Sequence, residues 1–272
     1  MNIISRKVFQ YQPFHLVTPS PWPLITSFSL LILRSSATIY FNGYASLIKN
    51  EIFIIIGFIT TIISIILWFR DVITESTYLG DHTNKVQQGI TIGVRLFIVS
   101  EVFFFLSVFW AFFHSSLSPT IELGNQWPPI GINTINPFEL PLLNTILLLS
   151  SGATITYRHH SLIEGNRYRT ILGTFITIIF AILFTLCQGI EYLNAEFTIS
   201  DSVYRSTFFF STFFHGIHVI IGTIFIAVAF FRILSYHLTD HHHLGFEASI
   251  LYWHFVDVVW LFLFISIYWW GS

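Results

Sequence analysis

Long, unbroken apolar stretches separated by short polar ones organise the whole chain. A helix needs about 20 mainly apolar residues to cross the hydrocarbon core of a bilayer. Seven such stretches lie at roughly 22–41, 52–69, 89–113, 140–157, 170–192, 203–234 and 245–270. Because they are continuous rather than alternating residue by residue, they predict helices and not barrel strands, and a helix satisfies its own backbone polar groups in lipid. The expectation is an all-α, polytopic membrane protein with one transmembrane domain over residues 1–272. Neither an internal repeat nor a soluble domain is visible. The longest connection, SSLSPTIELGNQWPPIGINTINPFELP, is dense in the proline and glycine that stop helices and predicts a compact loop.

Composition strengthens this picture. The 272 residues are 54% hydrophobic, 18% aromatic and only 10% charged, against roughly 25% charged in soluble domains. The formal charge of −2 offers no basic tract for nucleic acid. A lone Cys187 excludes an intrachain disulfide framework and cysteine-rich metal sites. The opening MNIISRKVFQYQPFHLVTPS lacks the pattern of a cleaved secretory or transit segment, so nothing is expected to be removed.

Seven crossings put the termini on opposite sides. Arg6, Lys7, Arg70, Lys85, Arg158, Arg167, Arg169 and Arg232 then fall on the N-terminal side, with Lys49 and Arg205 opposite. The excess of positive charge places the N-terminus in the cytoplasm-like compartment. Tryptophans near the predicted ends, Trp68, Trp127 and Trp270, suit an interfacial belt.

Ionisable residues at bilayer depth cost about 2.5–3.5 kcal/mol on insertion scales and normally face a partner, a cavity or a pathway. Glu101 stands in LFIVSEVFFFLSVFWAFF, about 18 Å into the third stretch at ~1.5 Å per residue. His254 and Asp257 share a face in WHFVDVVW, as do His215 and His218 in FHGIHVI. These five residues are expected to form a midplane polar layer between the third, sixth and last helices. Three readings stay open: a metal set of imidazoles and carboxylates, a proton path, or hydrogen-bonded glue between helices. The metal reading lacks a three-ligand signature, and no metal site is expected. The run His241, His242, His243 with His237 reads as an interfacial loop, and Arg158, His159 and His160 as a headgroup-level cluster, with Arg70, Arg158 and Arg232 as candidate phosphate contacts. No GxSxG, phosphate loop or dinucleotide fingerprint is present, and no catalytic residue can be nominated.

Several strings, read in order, are more specific. SPWPL, WFRDVITESTYLGDH, SEVFFFLSVFWAFFHSSLSP, LGNQWPPIGI, PLLNTILLLSSGATITYRHHSLIEGNR, EYLNAEFTISDSVY, FFHGIHVIIGT and HHLGFEASILYWHFVDVVWLFLFISIYWWGS run from Ser20 to the last residue. Together they resemble the cytochrome c oxidase subunit III family, in its mitochondrial form. The resemblance implies a seven-helix subunit whose two N-terminal helices splay from the other five to leave a lipid-filled cleft. It also implies a place beside subunit I in complex IV of the respiratory chain, with subunits I and II carrying haem and copper and this chain carrying no redox centre. Accessory subunits, supercomplex partners and structural phospholipids are the further partners implied, and proton-translocating cytochrome c oxidation is the activity of the whole complex.

Position by position, Trp68, Glu75, His82, Trp110, Arg232 and His237 resemble the family's cleft and headgroup positions, and Glu101 its membrane-embedded glutamate. Phe69 and Thr74 depart from the second tryptophan and the basic residue common in the family, so one phospholipid contact is expected to be weaker or replaced. Arg34, Arg95 and Arg205 stand where the family usually has uncharged residues, and Arg34 lies at a depth that allows a pair with Glu101. The implied location is the mitochondrial inner membrane, N-terminus in the matrix and C-terminus in the intermembrane space. The alternatives are subunit III of a bacterial quinol oxidase and, from another class, an independent proton-coupled transporter.

Overall fold

A computed structural model describes residues 12–43, 50–240 and 242–271. Arg6, Lys7, Lys49 and His241, weighed above for orientation and for the histidine run, lie outside the described residues. Among the described residues the structure is helical throughout, with no strand. In chain order the helices are α1 (Trp22–Phe41), α2 (Asn50–Thr74, extended by a π turn over Glu75–Leu79), α3 (Asn84–Leu117), α4 (Leu140–Ile163), α5 (Arg167–Asn194), α6 (Val203–Leu234) and α7 (Leu244–Leu263, extended by a π turn over Phe264–Trp269). All seven are long and apolar enough to cross a membrane.

The predicted spans are matched one for one, and α1 and α6 have the expected bounds. α2, α3, α4 and α5 run further than their apolar cores, and α7 with its π turn is shifted by one residue. Hydropathy falls where charges begin, but a helix ends where the backbone turns. α2 therefore continues through Arg70, Asp71 and Glu75 until Gly80, whose φ of 70° ends the winding and lets its N–H reach the Glu75 carbonyl. Likewise α4 runs past residue 157 to Ile163. The Asn166 side chain then caps α5 by accepting from the Arg169 N–H at 3.2 Å, and Ser202 caps α6 by accepting from the Arg205 N–H at 3.4 Å.

The chain divides into two compact units, Met1–Ile90 and Thr91–Ser272. In the first, α1 packs on α2 through small polar residues: Thr26, Ser29, Ser36, Thr61 and Ser64 are buried, while Phe28, Leu31, Ile55 and Ile66 point outwards. The Thr26 hydroxyl donates to Ser64 Oγ at 3.0 Å. Gly57 is where the backbones meet, since a Cβ there would lie 2.8 Å from the Leu33 nitrogen. Trp22 Nε1 donates to Asp71 at 2.5 Å, and Arg70 grips the other Asp71 oxygen at 2.8 Å.

In the second unit α4, α5, α6 and α7 pack in a closed ring of neighbours, α4 on α5, α5 on α6, α6 on α7 and α7 on α4. α7 is the most enclosed, with 61% of its apolar stretch buried against 17% in each of α1, α2 and α3. Its indoles point at small residues of α4: Trp253 Nε1 donates to Ser151 Oγ at 2.8 Å and Trp260 Nε1 to Thr145 Oγ1 at 3.0 Å. α3 is held by large rings instead, Phe104 against Phe214 with centroids 5.0 Å apart and Phe105 against His218 at 5.1 Å.

Of the tryptophans near predicted span ends, Trp127 is half-buried by other rings. Trp127 packs between Phe112 and Tyr204, with centroids 5.5 and 5.4 Å away, so the compact loop after α3 uses this indole to seat itself on the helices. Trp68 and Trp270 are exposed.

Candidate functional site

The polar residues within the second unit's helices separate into distinct pairs. On α3, Glu101 keeps 23% of its side chain exposed and meets His218 of α6, whose Nε2 lies 3.0 Å from the carboxylate. The other ring nitrogen of His218 lies 2.7 Å from the Phe214 carbonyl, one turn earlier on the same helix. A carbonyl only accepts, so that nitrogen carries the hydrogen. Nε2 and the carboxyl then share at least one further proton, as carboxylic acid with imidazole or as carboxylate with imidazolium.

His254 and Asp257 form the second group. Their side chains approach to 3.7 Å on α7, and His254 Nε2 is 3.2 Å from Thr156 Oγ1 of α4. Gly152 makes room for the acid, because a Cβ there would lie 2.5 Å from Asp257 Oδ2. His215 is almost fully enclosed: its Nε2 meets the Val256 carbonyl at 3.2 Å, and its ring lies 5.1 Å from that of Trp260.

The expected midplane layer between the third, sixth and last helices is thus corrected. Glu101 and His218 join α3 to α6, whereas His254 and Asp257 face α4, a helix left out of the expectation. Helical spacing correctly put each pair on one face but says nothing about which neighbour that face meets.

A third polar group escaped the sequence reading. Glu191 of α5, 2% exposed, accepts from the Tyr268 hydroxyl at 2.6 Å and from Gln188 Nε2 at 3.1 Å, and Asn144 of α4 reaches Gln188 at 3.5 Å. The signal was present, since Gln188 and Glu191 stand three residues apart within an apolar span. Both stand near the end of that span, and neither is among the residues the sequence singles out.

Arg158 also departs from expectation. It is fully buried and so not open to a phosphate, with Nη2 3.2 Å from Ser249 Oγ and the guanidinium 4.4 Å above the Phe246 ring. The reason is that α4 continues past residue 157, so this turn still faces α7. Gly173 of α5 admits it, as a Cβ there would come within 2.9 Å of the Arg158 Cβ.

Of the lipid-contact candidates, Trp68, Glu75 and His82 belong to the first unit. Glu75 lies 3.5 Å from His15, whose ring meets that of His82 edge-on with centroids 6.4 Å apart. Trp110, Arg232 and His237 belong to the second unit. Trp110 is 72% exposed on α3, an indole turned outwards. Arg232, on the last turn of α6, approaches Gly245 so closely that a Cβ there would meet its Nη1 at 2.9 Å, and the His237 N–H donates to the Arg232 carbonyl at 3.0 Å.

Comparison with known proteins places this arrangement. The family model described as cytochrome c oxidase subunit III matches residues 12–272. This chain belongs to the cytochrome c oxidase subunit III family. Cytochrome c oxidase subunit 3 of Mycosarcoma maydis is 76% identical over 271 residues, covering 99% of this chain and 98% of that protein. The proteins of the same name from Emericella nidulans and Podospora anserina are each 62% identical, the first covering 98% of both chains and the second 100% of both. Membership makes the chain part of an oxidoreductase complex, and the strings that carried the resemblance are the segments now seen as helices and their connections.

Proposed function

We propose that this chain is the non-redox subunit III of a mitochondrial cytochrome c oxidase, complex IV. In this reading it flanks subunit I, holds phospholipids in a cleft beside its two N-terminal helices and aids proton uptake, while haem and copper are carried by subunits I and II. It sits in the mitochondrial inner membrane with the N-terminus in the matrix and the C-terminus in the intermembrane space, the direction favoured by its positive charges. The observation that carries the supporting role is the Glu101–His218 contact at 3.0 Å: an acid deep in a span is bound to a neighbouring helix. Trp68, Glu75 and His82 in one unit, with Trp110, Arg232 and His237 in the other, supply indole, carboxylate, imidazole and guanidinium groups of the kind that grip lipid headgroups and stems.

The test uses the assembled complex. In mild detergent it should show haem absorption with this chain among its subunits, and Glu101→Gln should leave haem content unchanged while slowing proton uptake and hastening loss of activity during turnover. His218→Ala should reproduce that phenotype. Oxygen consumption by the chain freed of every other subunit would overturn the reading, as would stable, haem-free proton transport by it alone.

A further inference from the structure

The end of the second unit that carries the α4–α5 and α6–α7 connections brings together three groups from separate parts of the sequence. His159 lies on the last turns of α4, His243 immediately precedes α7, and Glu247 is one turn further along α7. One ligand atom from each lies within 4.8 Å of the others. His243 Nε2 stands 3.2 Å from Glu247 Oε1.

The second ring nitrogen of His243 decides the chemistry. Nδ1 lies 3.0 Å from the Thr239 carbonyl, so it carries the hydrogen and leaves a lone pair on Nε2 of the neutral ring. That lone pair faces a carboxylate oxygen, and two acceptors at this distance need a proton or a metal ion between them. A ring N–H tied to a backbone carbonyl is also the usual way a protein orients a metal-binding imidazole. His159 adds a third donor: its Nε2 is buried without a hydrogen-bond partner, and its ring is set against His243 and Phe246 with centroids 5.9 and 6.1 Å away.

Distance and access agree with this. Zinc bound at about 2.0–2.2 Å by nitrogen and oxygen in a tetrahedron holds its ligand atoms about 3.3–3.6 Å apart. The His243–Glu247 separation of 3.2 Å is already close to that edge. Bringing in the third atom asks for a shift of at most about 1.4 Å, within reach of side-chain rotation. A cavity of about 250 Å³ bordered by His159, Glu247, Leu244, Thr91, Arg95 and His254 leaves space beside the cluster for water in an open fourth position. Arg95 also borders that cavity, and the Glu247 carboxylate offsets its charge.

We propose that His159, His243 and Glu247 bind a zinc-like divalent cation that clips the end of α4 to the start of α7. Two imidazoles and a carboxylate suit zinc among the common metals. The expectation of no metal site considered the loop histidines as a local run, and the third ligand comes from a helix more than eighty residues away.

The test is zinc binding by the full chain in detergent, followed by competition with a fluorescent chelator. One equivalent should bind, and His159→Ala, His243→Ala and Glu247→Gln should each weaken it more than about tenfold, with His160→Ala and His242→Ala unchanged. Zinc should raise the unfolding temperature of the unaltered chain and not that of the Glu247→Gln chain, whose near-identical shape keeps the fold intact. X-ray absorption on the unaltered chain should show nitrogen and oxygen neighbours near 2.0–2.2 Å with the signature of two imidazoles. Unchanged affinity in the Glu247→Gln and His243→Ala chains, equal weakening by His160→Ala, or a metal shell without imidazole overturns the proposal.

Discussion

The two units are cohesive for opposite reasons. In the α1–α2 pair the bulky apolar side chains point away from the partner helix and the contact is made by Thr26, Ser29, Ser64 and Gly57. In the second unit the buried positions include Trp253, Trp260, Phe184 and Phe208. Lipid tails are as apolar as leucine, so hydrophobicity alone brings no two helices together in a bilayer. What remains is packing and hydrogen bonding. A two-helix pair achieves it by close backbone approach over small residues. A helix surrounded on several sides, as α7 is, can bury indoles provided each N–H finds an acceptor, and Ser151 and Thr145 supply them.

This contrast can be broken at its strongest point first. Trp253→Ala should destabilise the second unit by about 3–5 kcal/mol, the range for removing a large aromatic from a packed core, read by denaturant titration of the chain in detergent. Little change would show that α7 is not the organising helix. In the first unit the corresponding break is an addition rather than a deletion. Gly57→Val should cost about 1–3 kcal/mol through overpacking against Leu33, and a disulfide engineered between Thr26 and Ser64 positions should form more slowly in that background. A smaller effect sharpens the comparison: Thr26→Ala and Ser64→Ala should couple in a double-mutant cycle by about 0.6 kcal/mol, the average for hydrogen bonds between membrane helices. A coupling of several kcal/mol would mean that the hydroxyl pair, not close packing, holds α1 to α2.

The smallest effect lies in the connection before α6. Asp201 accepts from the Thr198 N–H at 2.7 Å and pairs with Arg205, and these contacts hold its carboxyl below the ordinary value of 3.8. A lowered folded-state pKa stabilises the folded form above the unfolded value and loses that contribution as pH falls through the folded one. Asp201→Asn should therefore matter slightly at neutral pH and not at all under strong acid, as followed by hydrogen exchange at the Thr198 amide. An equal effect at both extremes would assign the contact to shape rather than charge.

Glu101 and Glu191 show how far such features can be read in advance. Glu101 is conspicuous because Phe and Val surround it far from any span end, while Glu191 sits near the end of α5 and does not stand out. The structure reverses their order of burial, 23% exposed for the Glu101 side chain and 2% for Glu191 as a residue. Depth along a helix can be counted from the sequence. Enclosure depends on what stands beside the helix, and for Glu191 that is Tyr268, contributed by the π turn at the far end of the chain.

Seven runs of apolar residues were enough to determine the number of crossings, their order and their helical character, because in lipid each segment must satisfy its own backbone before it meets another. Pairing could not be read in that way. A face of a helix offers the same Glu, His or Arg to any neighbour, and only the packed structure selected His218 for Glu101, α4 for His254 and Asp257, and the interior for Arg158. The choice rests on where glycine, serine and threonine leave room, and that space exists only once the helices are side by side.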